Sequence, residues 1–126
     1  MNLLLDTHVF LWAVDNNPNL SPVAGEAIVD GHNVVYVSVA TAWEISIKRT
    51  IGKSIVPESD YLEELSLQRF MPPSITTEHA LAVENLPRYH KDPFARMLIA
   101  QAQEEKLTLV ARDPRMEASD VRTIAA

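Results

Sequence analysis

The sequence has 126 residues and no cysteine, and 47% of it is hydrophobic. This length and apolar content fit one domain with one hydrophobic core. The lack of cysteine excludes disulfide bonds and thiolate metal ligands, and no apolar run approaches the ~18 residues of a membrane-spanning helix. We therefore expect one domain over residues 1–126, located in the cytoplasm and without a membrane partner.

The net charge is −6, from 11 basic and 17 acidic residues. Domains that bind nucleic acids usually have a basic balance, so the total charge argues against a broad nucleic-acid-binding surface. That argument weakens if acids are gathered at one site, because four acids held there would leave about −2 for the remaining surface. Local basic patches then matter more than the total.

The first half of the sequence alternates short apolar runs with helical patterns. Asp6 follows the first apolar run and is a suitable N-cap for the next helix, and Ser21-Pro22 and Ser38 mark two further helix starts. The run at 34–37 is β-branched and apolar on both faces, which is typical of a central parallel strand. The predicted elements are strands at 3–5 and 34–37 and helices at 7–16, 22–30 and 39–51.

The second half continues this alternation. Asp92-Pro93 combines an N-cap with a first-turn proline and begins a long helical pattern. Phe70-Met71 precedes two prolines, which predicts an extended edge segment because proline cannot donate to a strand ladder. Alternating strands and helices predict an α/β fold with a mostly parallel sheet covered on both faces. The predicted elements are helices at 57–68, 76–85 and 92–106, an edge at 70–73, a basic loop at 86–91, and strands at 107–111 and 121–124.

Four acids occupy related positions in this alternation. Asp6 directly follows the first predicted strand, and Asp113 comes two residues after the strand at 107–111. Asp92 opens a helix, and Glu44 lies two turns into the helix after the second strand. Each has a simpler explanation alone, because the three aspartates are suitable N-caps worth about 1 kcal/mol each. Glu44 could likewise form a surface ion pair with Lys48.

The joint arrangement of these acids predicts a metal site. Open α/β sheets bind ligands at the carboxyl ends of their strands, and three or four carboxylates gathered there would repel one another. Mg²⁺ or Mn²⁺ relieves the repulsion because hard cations prefer carboxylate oxygen and water. Such an ion activates water and neutralises charge on a phosphoryl group. The predicted catalytic and metal-binding residues are Asp6, Glu44, Asp92 and Asp113.

Four segments contain these acids: 4–12 (LLDTHVFLW), 43–45 (WEI) with Lys48, 90–94 (HKDPF) with Arg96 and 98–102 (LIAQA), and 107–113 (LTLVARD). In order and spacing they resemble the PIN domain, and within it the VapC-type toxins of bacterial type II toxin–antitoxin systems. The resemblance implies an α/β/α sandwich with a mostly parallel sheet of four or five strands. It also implies a Mg²⁺- or Mn²⁺-dependent endoribonuclease that forms a homodimer or a toxin–antitoxin complex. The implied partner is a small antitoxin protein, and the toxin would contact DNA only through this antitoxin.

One position departs from the usual run of that subgroup, which is Asp-Pro-Phe-Asp-Arg. Residues 92–96 read Asp-Pro-Phe-Ala-Arg, so Ala95 stands where the resemblance implies a metal-binding acid. Ala111, two positions before Asp113, replaces a usual threonine. Ala95 is either an engineered inactivating replacement or a natural difference in which Asp92, one helical turn earlier, serves instead. Both explanations predict weakened metal binding and reduced nuclease activity.

Basic and aromatic residues near the acids have two possible roles. Lys48, Arg96 and Arg112 are candidates for contacts with RNA phosphates, and a solvated surface explains them equally well. Trp12 and Trp43 could stack on RNA bases, but their apolar neighbours favour packing in the core. A wider basic set with the same two explanations comprises Arg49, Lys53, Arg88, Lys91 and Arg115.

Two other functions fit parts of the sequence. A response-regulator receiver domain has a similar length, a parallel sheet and a Mg²⁺ pocket. It needs paired acids after the first strand, where this chain has only Asp6, and a phosphoacceptor aspartate where the region of Phe70 has none. A non-catalytic PIN-like module that binds RNA or protein is the second alternative, and Ala95 favours it.

Overall fold

A computed structural model describes residues 1–53, 58–86, 92–113, 116 and 121–126. The predicted basic residues Arg88, Lys91 and Arg115 lie outside these ranges. Across the described chain, no helix combines the length and apolar character needed to cross a bilayer. The elements are β1 (Asn2–Leu5), α1 (Thr7–Val14), α2 (Pro22–Val29), β2 (Val34–Val37), α3 (Val39–Thr50), α4 (Glu58–Gln68), α5 (Thr77–Ala82), a 3₁₀ turn (Val83–Asn85), α6 (Pro93–Glu105), β3 (Thr108–Ala111) and β4 (Thr123–Ala125).

In the described residues, four strands form one parallel sheet in the order β2-β1-β3-β4. The predicted α/β class and parallel sheet are therefore confirmed. Among these four strands β2 pairs with β1 alone and is therefore an edge strand. The prediction that 34–37 is a central strand is wrong. The predicted edge segment at 70–73 touches β2 through a single parallel bridge between Met71 and Tyr36.

Side-chain caps fix the helix starts that the sequence predicts. Each cap oxygen accepts a backbone N–H of the first turn, which satisfies a donor that has no partner inside the helix. The first helix ends at Val14, two residues earlier than predicted, and Asn16 beyond it adopts a left-handed φ of 54°. The N-caps of α1, α2, α3 and α6 are Asp6, Ser21, Ser38 and Asp92.

Alternate residues of the strands face two hydrophobic cores, one on each side of the sheet. Leu3 and Leu5 of β1 pack in the first core, which includes residues of α1, α2 and α4. Leu4 packs in the second core with Leu98 and Ile99 of α6. Burial of one such side chain contributes about 1.5–3 kcal/mol. The two cores therefore hold β1, and with it the residue that follows β1, in a defined position.

The carboxyl ends of the parallel strands lie at one edge of the sheet. Asp6 follows β1 directly, and its backbone N–H donates to the carbonyl oxygen of Val110 in β3 at 3.0 Å. Ser38 follows β2, and Asp113 comes two residues after β3. The fold thus directs three chain segments toward the same edge.

Candidate metal and nucleic-acid site

Asp6 is buried, with 7% of its surface exposed. Its Oδ1 accepts the N–H of Val9 at 2.8 Å, and its Oδ2 accepts the N–H of Arg112 at 3.4 Å. Burial raises the pKa of the Asp6 carboxyl above its ordinary value, because the charged form loses solvation. The two N–H groups and His8 lower that pKa, and the charge of Glu44 raises it. The net direction is upward because burial outweighs these favourable contacts, and a cation beside the carboxyl would lower its pKa again.

Glu44 is held through both carboxylate oxygens. Thr7 Oγ1 donates to Oε1 at 2.6 Å, and Lys48 Nζ donates to Oε2 at 2.8 Å. The hydroxyl groups of Thr7 and Thr41 lie 3.3 Å apart. The predicted pairing with Lys48 is therefore present, but Glu44 is only 8% exposed, so the pair is not an ordinary surface contact. Such fixed donors orient the carboxylate toward one direction.

Sequence reasoning missed Thr7 and Thr41. Thr7 is the first residue of α1, and Thr41 lies one turn before Glu44 on α3. The i, i+3 spacing of Thr41 and Glu44 places both on one helix face. The spacing could have placed Thr41 beside Glu44, but the contact of Thr7 with Glu44 joins two separate helices and has no local signal.

The four predicted acids line one cavity of about 220 Å³ at the carboxyl edge of the sheet. Ala95, whose side chain is buried, lines the same cavity at the first turn of α6. Asp92 both reaches this cavity and caps α6, since its Oδ1 accepts the N–H of Phe94 at 2.9 Å. The residues around the cavity are Asp6, Thr7, His8, Glu44, Lys48, Asp92, Ala95, Leu98, Asp113 and Met116.

The chemistry of this lining suits a hard divalent cation, because carboxylate oxygens are the donors that Mg²⁺ and Mn²⁺ prefer. The distances between the acids fit such an ion less well. Among the described side chains, no three acids or histidines come close enough together to hold one ion. Asp6 and Glu44 use their oxygens on protein donors instead. The metal site and its ligands therefore stay predictions.

The three basic candidates have different surroundings. Lys48 lines the cavity and is paired with Glu44. Arg112 is exposed, and its guanidinium carbon lies 5.5 Å from the centre of the Trp12 ring. Arg96 donates to the carbonyl oxygens of Val83 at 2.9 Å and Leu86 at 3.4 Å. These bonds give Arg96 a structural role, because they join α6 to the carbonyl groups of the first residue of the 3₁₀ turn and of the residue that follows the turn.

The two tryptophans do not share the predicted place in the core. Trp12 is half-buried, whereas Trp43 is 59% exposed and meets Phe94 edge-on with 5.2 Å between ring centres. The prediction of core packing for Trp43 is wrong. The buried residues of α3 are Ala40, Thr41, Glu44 and Ile45, whose i, i+4 spacing defines one helix face, and Trp43 lies off that face.

A family model described as the PIN domain matches residues 3–121. This chain belongs to the PIN domain family. A comparison with curated protein sequences finds no match. Because the PIN domain model matches nearly the whole chain, the predicted family is confirmed and the receiver-domain alternative is set aside.

Solved structures with a similar fold include several named VapBC. VapBC2 from Rickettsia felis, bound to a DNA fragment from its promoter, superposes with a TM-score of 0.73 at 15% identity, over 100% of this chain and 99% of that one. DNA-bound VapBC from Salmonella typhimurium gives 0.70 at 17% identity, over 99% and 98%. VapBC-5 from Mycobacterium tuberculosis gives 0.64 at 16% identity, also over 99% and 98%. At these identities the likeness establishes the fold.

Proposed function

We propose that this PIN domain is a Mg²⁺- or Mn²⁺-dependent endoribonuclease, acting as the VapC-type toxin of a type II toxin–antitoxin module. One observation carries the proposal: Asp6, Glu44, Asp92 and Asp113 come from four separate chain segments and line the same cavity. The stability of the fold does not require four acids at one place, since each carboxylate adds repulsion to the others.

In this proposal the four acids are the metal ligands, and none acts as a nucleophile. A bound divalent cation would supply an activated water and positive charge opposite the scissile phosphate. Thr7 holds one oxygen of Glu44 so that the carboxylate keeps its direction. The N–H groups of Val9 and Arg112 do the same for Asp6. Lys48 and Arg112 provide positive charge at the cavity for the RNA backbone.

The proposed partners are an RNA substrate and a small antitoxin protein. Support for the antitoxin comes from the fold neighbours, which are VapBC complexes, two of them bound to DNA. We propose that this chain likewise forms a homodimer or a toxin–antitoxin complex in the cytoplasm. It would meet DNA only through the antitoxin.

Ala95 makes the proposal testable within the chain itself. We expect slow cleavage of RNA by the unmodified protein in Mn²⁺ or Mg²⁺, and cleavage about tenfold faster or more by Ala95→Asp, because a restored ligand binds the metal ion more tightly. Asp6→Asn, which preserves the cap but removes the charge, should abolish cleavage in both backgrounds. A chelator should do the same. Equal rates for the unmodified protein and Ala95→Asp would contradict the impaired-site proposal.

A non-catalytic PIN-like module that binds RNA or protein is the second candidate. The observation that favours it is the absence, among the described side chains, of three acids close enough to hold an ion, together with Ala95 in the cavity wall. This candidate predicts RNA binding in millimolar Mn²⁺ without cleavage, both before and after Ala95→Asp. Detectable metal-dependent products from the unmodified protein would rule it out.

A further inference from the structure

A small aromatic and cationic cluster lies at the rim of the acid cavity. The rings of His8 and Trp12, one helical turn apart on α1, have centres 6.3 Å apart and planes inclined at 52°. The guanidinium carbon of Arg112 lies 5.5 Å from the centre of the Trp12 ring. His8 and Arg112 are exposed, and Trp12 is half-buried. We call these three residues the rim cluster.

The rim cluster is joined to the cavity at two points. His8 itself lines the cavity. Arg112 precedes Asp113, and its backbone N–H donates to the Asp6 carboxylate at 3.4 Å. The side chain of Arg112 therefore begins at the acids and extends over the indole. A polymer whose phosphate lay at the acids would bring its neighbouring unit onto this cluster.

We propose that the rim cluster is a binding subsite for one unpaired nucleobase of RNA, with Trp12 as the stacking surface. The inference rests on the proposed function, which makes RNA the ligand. Bases of single-stranded RNA stack on aromatic rings and on guanidinium planes with little sequence preference. In the free protein Arg112 covers the indole. When a base stacks there, Arg112 moves to the adjacent phosphate.

The charge distribution agrees with this exchange. A cation–π contact at an exposed site is weak, so a base can replace it at small cost. Among the described residues, the guanidinium of Arg112 has no carboxylate partner within salt-bridge distance. Lys48, in contrast, is occupied by Glu44. Within the described part of the chain, Arg112 is thus a rim cation that can follow a phosphate without first breaking an ion pair.

The test uses the fact that the chain has two tryptophans. Trp43→Phe leaves Trp12 as the sole tryptophan and retains an aromatic ring against Phe94. This protein is titrated with a short single-stranded RNA in EDTA, which prevents metal-dependent cleavage. A matched oligomer of the same length carries abasic ribose in place of every base. We expect saturable quenching of Trp12 fluorescence by the first RNA, little quenching by the second, and about tenfold weaker binding of the abasic oligomer.

Substitutions at Trp12 provide the second arm. Trp12→Leu should weaken binding of the base-containing RNA about tenfold and leave binding of the abasic oligomer unchanged, whereas Trp12→Phe should retain most of the affinity. Circular dichroism checks that each variant is folded. Equal binding of the two oligomers by the Trp43→Phe protein would overturn the subsite, and that result does not depend on any change at Trp12.

The two proposals can fail separately. RNA cleavage in Mn²⁺ that is indifferent to Trp12→Leu, with no base-dependent quenching, would overturn the subsite and leave the nuclease. Base-dependent quenching in EDTA without cleavage by the unmodified protein or Ala95→Asp would support the subsite and overturn the nuclease.

Discussion

At the scale of single residues, this protein stabilises buried charge with a few specific donors. Each oxygen of Glu44 has its own partner, one hydroxyl and one ammonium group. Asp6 accepts two backbone N–H groups, yet burial still raises the pKa of its carboxyl. Donors that are fixed by the fold do not fully replace water around Asp6. This residual cost is typical of sites whose charges are retained for binding.

The hydroxyl group of Thr7 makes a first prediction possible. Thr7→Val keeps the shape of the side chain but removes the donor to Glu44, so a buried carboxylate oxygen loses its partner. We expect the free energy of unfolding to fall by about 1–3 kcal/mol. Urea denaturation in EDTA measures the change, and Thr7→Ser, which retains the hydroxyl, is the matched control. A valine variant as stable as the serine variant would show that this hydrogen bond is not important to stability.

At the scale of elements, the starts of helices follow from single side chains, whereas their ends depend more on backbone geometry. Asp6, Ser21, Ser38 and Asp92 are polar residues at predictable places before apolar runs. The end of α6 has no such signal. Lys106 there adopts a left-handed conformation with φ 57°, which glycine usually occupies.

The left-handed conformation of Lys106 can be tested by substitution. A β-carbon is unfavourable in the left-handed region by roughly 1–2 kcal/mol, and glycine lacks one. We expect Lys106→Gly to be more stable than Lys106→Ala by about 1 kcal/mol, since both variants lose the same charge and differ in the β-carbon. Thermal or urea unfolding compares the two. A more stable alanine variant would mean that the helix end shifts instead of keeping this φ.

At the scale of the whole molecule, the parallel sheet gathers acids that are far apart in sequence. Asp6 and Asp113 are separated by most of the chain, and the pairing of β1 with β3 brings their strand ends together. The net charge of −6 is therefore concentrated partly in one cavity. Any ion that binds there stabilises the folded state, because the unfolded chain cannot form the same cavity.

This linkage gives a prediction for divalent metal ions. Binding stabilises the fold by about 2.7 kcal/mol when the ion is present at about 100 times its Kd, and each kcal/mol moves the Tm of a domain of this size by a few degrees. We expect Mn²⁺ to raise the Tm of Ala95→Asp more than that of the unmodified chain. Asp6→Asn should abolish the shift, and EDTA should reverse it. Identical shifts in all three proteins would indicate that Mn²⁺ binds elsewhere.

Much of the fold follows from local patterns. The three consecutive leucines of Leu3–Leu5 are all shielded from water only if both faces of their strand are covered. Their alternate packing in two cores confirms the predicted layers. The edge position of β2 did not follow. A run that is apolar on both faces suits an edge as well as a centre when another segment, here Met71, touches its open side.

The site was only partly predictable. The four acids were selected from their places beside strand ends and helix starts, and they do line one cavity. The bond from Thr7 to Glu44 and the carbonyl contacts of Arg96 depend on which side chains meet across elements, which no local pattern records. The Lys48 partner of Glu44, in contrast, follows from their i, i+4 spacing. The exposure of Trp43 depends on which face of α3 is buried.

Local propensity, apolar periodicity and residue type are enough to predict the α/β class, the helix caps and the set of acids. The folded arrangement sets the strand order, the hydrogen bond from Thr7 to Glu44 and the stacking of Arg112 on Trp12. These contacts join residues that are far apart along the chain. Residues 7 and 44, or 12 and 112, interact only after the sheet has brought their elements together, so their chemistry belongs to the fold and not to any segment.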